Sequence, residues 1–211
     1  MCRLLFVKSE NKFEIEHYLK IFAELCKSSK EYQGHGWGCS YLVDGQWVHY
    51  HNISPIWKDN LTQFKSTKHL TVHARSAFQD KDIFVENNMP FYDEKYIFTF
   101  NGELQGVKIK SEGRIGAEKI FNFIKRFDKG NIAEAIEKGV GIIKKRTEYL
   151  RAMNIIITSK EGTVLSSNFN EDPGYFQMSK KIAGDTTVLS SVAFPNEEGW
   201  QKIENNSIGV Y

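Results

Sequence analysis

The chain has 211 residues, 41% of them hydrophobic and 26% charged, a balance that suits one fairly large globular domain or two small ones. Its 28 Lys and Arg against 26 Asp and Glu leave a net charge of +2, and no basic run exceeds Lys144-Lys145-Arg146, which excludes nucleic acid and acidic membrane as expected partners. No apolar stretch approaches the roughly 18 residues of a membrane span, and the opening Met-Cys-Arg-Leu-Leu-Phe-Val meets a charge too soon for a secretory signal, so a cytoplasmic location is expected.

Residues 3–7 read as a short buried strand, and residues 13–27 place Ile15, Tyr18, Leu19, Phe22, Leu25 and Cys26 on one helical face. Strands follow at Trp37–Val43 and Gln46–His51, joined by Asp44-Gly45, a pair suited to a hairpin turn with two positive φ angles. Two more strands, His69–Arg75 and Tyr96–Asn101, flank a loop of about twenty residues, a length often kept for function. Helices are predicted near Ile115–Phe127 and Ile132–Leu150, the second with a break around Gly139-Val140-Gly141. The C-terminal third returns to strands at Asn154–Ser159, Thr163–Phe169, Tyr175–Ser179, Thr186–Ser190 and Ser207–Tyr211. Strands, then two helices, then strands argue for α+β architecture with antiparallel sheets and outer helices; an α-β-β-α sandwich is one solution, a generic α+β domain another.

The three cysteines, Cys2, Cys26 and Cys39, are odd in number and show no Cys-x-x-Cys spacing, so no disulfide framework is expected. Cys26 belongs to the apolar helical stripe, and Cys39 reads as a packed strand thiol. Cys2 differs. Removal of Met1 would put a thiol and an α-amine on one residue, and an α-amine titrating near pH ~8 can act as general base to an adjacent nucleophile. Phe100-Asn101-Gly102 closes an apolar strand; the Asn101 amide and the Gly102 N–H could receive an oxyanion, although an ordinary Asn-Gly turn fits the same residues. His73 and Arg75 share a strand face, where Arg75 could fork onto a carboxylate or form a surface ion pair.

His49 and His51 are alternate residues of a strand and so share a side, but no third ligand has suitable spacing and no metal is expected. Gly106, Gly113 and Gly116 fit neither phosphate-loop nor dinucleotide patterns, and no cofactor is expected.

Taken in order, Met-Cys-Arg-Leu-Leu at the start, Gly36-Trp37-Gly38, His73-Ala74-Arg75, Asn88-Met89-Pro90-Phe91 and Phe100-Asn101-Gly102-Glu103-Leu104 resemble the class II glutamine amidotransferases. Val188-Leu189-Ser190-Ser191 and Trp200-Gln201-Lys202-Ile203 resemble the closing motifs of that family's small stand-alone branch of predicted amidotransferases and γ-glutamyl hydrolases. The resemblance spans nearly the whole chain. It implies a single domain over residues 1–211 with the four-layer α-β-β-α sandwich of N-terminal-nucleophile hydrolases. It implies an amidohydrolase in which Cys2 attacks a γ-carboxamide, forms a thioester, and releases ammonia or an amine. By position, Asn101 and Gly102 would form the oxyanion hole; Arg75, with His73 beside it, would hold the substrate carboxylate, and Gly36 and Trp37 would line the back of the site, with plain core an equal reading for Trp37. The chain shows no synthetase or phosphoribosyltransferase domain, so ammonia would pass to a partner subunit, such as a separate synthetase, or be released. Homodimerisation is allowed but not specified.

The substrate-recognition positions depart from the family pattern. Gly116 stands where an Asp for the substrate ammonium is expected, with Glu112 or Glu118 as candidate replacements. Phe100 and Met89 replace histidines, and Ala77-Phe78-Gln79 replaces Thr-x-Gly. An alternative follows from these losses: a catalytically degenerate module of the same fold with a binding or regulatory role.

Overall fold

A computed structural model describes all 211 residues, and the chain divides into two compact units: Met1–Pro90 with Met178–Ile203, and Phe91–Gln177 with Glu204–Tyr211. In chain order the first unit begins with β1 (Arg3–Glu14), α1 (Ile15–Lys27), β2 (Trp37–Val43), β3 (Gln46–Asn52) and β4 (Ser66–Ala74). The second unit holds β5 (Phe91–Tyr92), β6 (Ile97–Gln105), α2 (Gly116–Lys125), α3 (Ile132–Lys145), β7 (Tyr149–Thr158), β8 (Thr163–Ser167) and the single turn α4 (Pro173–Phe176). The chain returns to the first unit for β9 (Ser179–Ala183), β10 (Thr186–Ser190) and β11 (Gln201–Lys202), and ends in the second with β12 (Ser207–Val210). No helix is long and apolar enough to cross a membrane.

The first unit is a seven-stranded sheet in the order β11-β9-β10-β1-β4-β2-β3, antiparallel at every pairing. Strand β1 runs seven residues past the predicted end at Val7. After a register shift it pairs again, Phe13 with Thr67 and Glu14 with Ser66, so the helix starts only at Ile15. Asp44 and Gly45 both take positive φ, 47° and 78°, and set the β2–β3 register Val43 opposite Gln46. The core lies between α1 and one sheet face: Leu19, Phe22 and Cys26 meet Leu5, Val7, Trp37, Cys39, Val72 and Ala74. Side chains alternate along a strand, so the opposite face carries Leu4, His73 and Gly38, which lie side by side in register.

The second unit is a five-stranded antiparallel sheet, β12-β8-β7-β6-β5. Phe98 of β6 stacks on Phe121 of α2 with ring centroids 4.9 Å apart. Asn131 caps α3, its Oδ1 accepting from the Ala133 and Glu134 N–H groups. The predicted break at Gly139-Val140-Gly141 is not there. Gly139 instead lets α2 and α3 approach, since a Cβ on it would lie 2.8 Å from Cγ1 of Ile124. The helix also ends at Lys145, and Tyr149 and Leu150 already belong to β7. The expected strand Tyr175–Ser179 is half helix, because Pro173 at its first turn favours a helical start.

Candidate functional site

Cys2 leads into β1 and is 8% exposed. Its Sγ accepts from the Ser76 N–H at 3.5 Å and faces the Ser76 carbonyl at 3.7 Å. Burial pushes the thiol pKa up; the Met1 α-ammonium, the Ser76 N–H and the Arg75 guanidinium oppose this, and the Glu31 carboxylate adds to it. A protonated thiol at neutral pH therefore needs a base before it can attack. In the chain that begins at Met1, the Cys2 nitrogen is a peptide nitrogen and cannot be that base.

The N-terminal end of β1 is held from several sides. The Ser191 N–H donates to the Leu4 carbonyl at 3.0 Å, and the Ser191 Oγ accepts from the Leu4 N–H at 3.0 Å. Arg3 reaches the Ser29 Oγ at 3.2 Å and the Ser191 carbonyl at 3.4 Å. The closing Ser190-Ser191 motif thus fixes the strand that follows Cys2.

Arg75 follows β4 and extends its pairing: its N–H donates to the Gly36 carbonyl at 2.9 Å, and its own carbonyl accepts from the His35 N–H at 3.1 Å. The side chain is 5% exposed and makes no ion pair, and Nη1 has no hydrogen-bond acceptor. Burial lowers its pKa, while the Cys2 thiol and the Asp82 carboxylate raise it. A buried guanidinium with an open Nη1 has the chemistry to take an anion such as a carboxylate.

Gly36 lies opposite, at φ +106°, where a Cβ would fall 2.1 Å from Nδ2 of Asn88 and 2.7 Å from the Asn52 carbonyl. Asn88 donates through that Nδ2 to the Asn52 carbonyl at 2.9 Å, a clasp that only glycine at 36 permits. His73 is fully buried in β4, between Leu4 and Gly38 in register. For Trp37 the structure takes the core alternative. Its ring packs with Tyr50 and Phe64 in the core beneath α1, and Nε1 donates to Oδ2 of Asp59 at 2.9 Å. Strand alternation accounts for this, because Trp37 pairs with Ala74 on the core face while its neighbour Gly38 pairs with His73 on the other.

Asn101 and Gly102 belong to the second unit. They lie inside β6 rather than at its end, so the ordinary Asn-Gly turn is excluded. Asn101 is fully buried, and neither Nδ2 nor Oδ1 has a hydrogen-bond partner. Its cross-strand neighbour Asn154, equally buried, is satisfied: Nδ2 donates to the Phe176 carbonyl at 2.7 Å, and Oδ1 accepts from the Asn168 N–H at 3.1 Å. β5 pairs with β6 only at Ile97 and Phe98, so no strand covers that edge of β6 from Thr99 onward. A Cβ on Gly102 would sit 2.1 Å from the Ala152 carbonyl oxygen. Glycine is required there for packing, whatever its N–H does.

Glu118 forms a bidentate pair with Arg114, Nη2 to Oε1 at 2.6 Å, so its charge is already committed. Gly116 opens α2 in open space, where an added Cβ would meet no other atom within 4 Å. His49 bonds the Ser40 Oγ at 2.7 Å and His51 the Pro90 carbonyl at 3.0 Å, and burial lowers the pKa of His49 to about 4. The residues that sequence reasoning missed are Glu31, Gln33 and Ser76. They carry no motif of their own and become visible only through contacts with Met1 and Cys2.

No protein-family profile and no curated protein sequence matches the chain. Solved structures do. A glutamine phosphoribosylpyrophosphate amidotransferase from B. subtilis superposes with a TM-score of 0.63 at 15% identity, covering 90% of this chain and 42% of that one. A glutamine aminotransferase class-II domain protein from Silicibacter pomeroyi gives 0.63 at 13% identity over 99% of this chain and 94% of its own. A predicted glutamine amidotransferase from Pseudomonas aeruginosa PA01 gives 0.62 at 12% identity over 100% and 97%. This chain therefore spans less than half of the B. subtilis chain but nearly all of the two others. At these identities the likeness is one of fold, and the chain has the α+β fold, with two antiparallel sheets, of the class II glutamine amidotransferase structures.

Proposed function

We propose that the chain is an amidohydrolase that cleaves the γ-amide of glutamine or a γ-glutamyl compound through a Cys2 thioester. The observation that carries this reading is Arg75, a buried cation with no anion of its own, set beside the Cys2 thiol. After Met1 is removed, the Cys2 α-amine takes the thiol proton and Sγ bonds to the amide carbon. The carbonyl oxygen becomes an oxyanion, received by the Asn101 amide and the Gly102 N–H. The proton then passes to the leaving nitrogen as the C–N bond breaks, freeing ammonia or an amine. Water hydrolyses the thioester to the γ-carboxylate and restores the thiol. Arg75 holds the substrate α-carboxylate throughout.

The reading treats residues 1–211 as one amidotransferase-like domain acting in the cytoplasm on a small molecule. Ammonia goes to a partner subunit, such as a separate synthetase, or to solvent. A degenerate module with a binding or regulatory role is the second reading, favoured by Gly116 and by the commitment of Glu118 to Arg114. Protein whose mass shows Cys2 exposed is expected to release glutamate from γ-glutamyl substrates and to be labelled at Cys2 by a glutamine-like diazoketone. If processed protein shows neither release nor labelling, the amidohydrolase reading fails.

A further inference from the structure

The first residue of the chain reports on the ground beside Cys2. The Met1 α-ammonium forms an ion pair with the Glu31 carboxylate. Gln33, fully buried, donates through Nε2 to the Met1 carbonyl at 2.5 Å and to the Glu31 carbonyl at 2.8 Å. What these two residues grip is an α-aminoacyl group, an ammonium on a carbon next to a carbonyl. Met1 is bonded to Cys2, so this grip lies next to the thiol-bearing residue, and Ser76, which follows Arg75, donates its N–H to the Cys2 sulfur at 3.5 Å. When Met1 leaves, its cation and its carbonyl leave with it, and Glu31 and Gln33 remain beside the nucleophile.

We propose that Glu31 receives the substrate's free α-ammonium while Gln33 Nε2 donates to the adjoining carboxylate as it does to the Met1 carbonyl, so that Met1 and an α-amino acid substrate occupy the same place in turn. This rests on the amidohydrolase reading and deepens it, because it fixes the substrate class as γ-amides of amino acids with an unblocked α-amine. Arg75 and Glu31 then grip the two ends of one zwitterion, a carboxylate and an ammonium separated by a single carbon. Position 116 has no side chain, and Glu118 is held by Arg114. The rival role for Glu31 is to hold the new α-ammonium of Cys2, which would affect every substrate alike.

The two roles separate in a ratio. For processed protein, kcat/KM for glutamine is expected to exceed that for Nα-acetylglutamine roughly 30-fold, the worth of one charge-assisted hydrogen bond. Glu31→Gln should bring this ratio close to unity, and Glu31→Asp should keep most of it. A ratio that survives Glu31→Gln while both substrates slow together overturns the proposal and gives Glu31 to Cys2. A turnover-free arm uses processed Cys2→Ala protein titrated calorimetrically with both ligands, with and without Glu31→Gln, and with melting temperature as the fold control. Preference for glutamine that disappears with Glu31→Gln supports the subsite even if no form turns over, an outcome that would sink the amidohydrolase reading alone. Equal binding of both ligands to folded Cys2→Ala overturns the subsite.

Discussion

Two buried thiols in the same seven-stranded sheet, Cys2 and Cys39, have opposite surroundings. Cys39 lies in the core under α1, fully buried among apolar side chains, and burial together with the Asp59 charge drives its pKa far up. Cys2 is nearly as buried, yet two cations and a backbone N–H act against the same desolvation. Burial raises both thiols, and of the two only Cys2 has positive groups that oppose it. The second sheet repeats the lesson with amides, since Asn101 and Asn154 are cross-strand neighbours of equal burial and only Asn154 has partners.

The largest effect should separate the thiols. Cys2→Ala is expected to lower glutamate release by about 10³-fold or more, whereas Cys39→Ala should leave turnover intact and lower only the melting temperature. If Cys2→Ala retains activity, the contrast has no catalytic meaning. The amides come next. Asn101→Ala is expected to cost roughly 10²–10³ in kcat with little change in stability, and Asn154→Ala to destabilise by about 1–3 kcal/mol through its two lost partners. Equal loss of stability from both variants would show that Asn101 is a packing residue. Arg75→Ala should act mainly on KM, by roughly 10–100-fold; an unchanged KM would leave its buried charge unexplained.

The smallest effect is in pH. Cys39 has a folded pKa raised above its unfolded value, so it stabilises the fold fully below about pH 8.5 and loses that contribution as pH rises beyond it. The fall in melting temperature between pH 8 and pH 10 should therefore be shallower in Cys39→Ala than in the parent. Identical slopes would remove the thiol from the account of alkaline stability.

What the sequence made legible was mostly local. The Asp44-Gly45 hairpin and the apolar stripe of α1 follow from residues next to one another, and both formed as predicted. The extension of β1 did not, because its support comes from Ser66 and Thr67 across a register shift. Gly139 misled for a related reason: its missing side chain serves a neighbour on α2, not a kink. Around the candidate site, residues named by motifs could be found, but the Trp37 side chain could not be assigned a face until its partner Ala74 was known. Glu31 and Gln33 were invisible, since what singles them out is contact with Met1 some thirty positions away.

The two backbone hydrogen bonds that tie Arg75 to Gly36 and His35 have a consequence for binding entropy. The main chain at this position lost its freedom when the protein folded. If Arg75 binds a carboxylate as proposed, only side-chain rotamers are left to freeze, at most about 2 kcal/mol, with none of the backbone cost that a receptor on a loose loop would add.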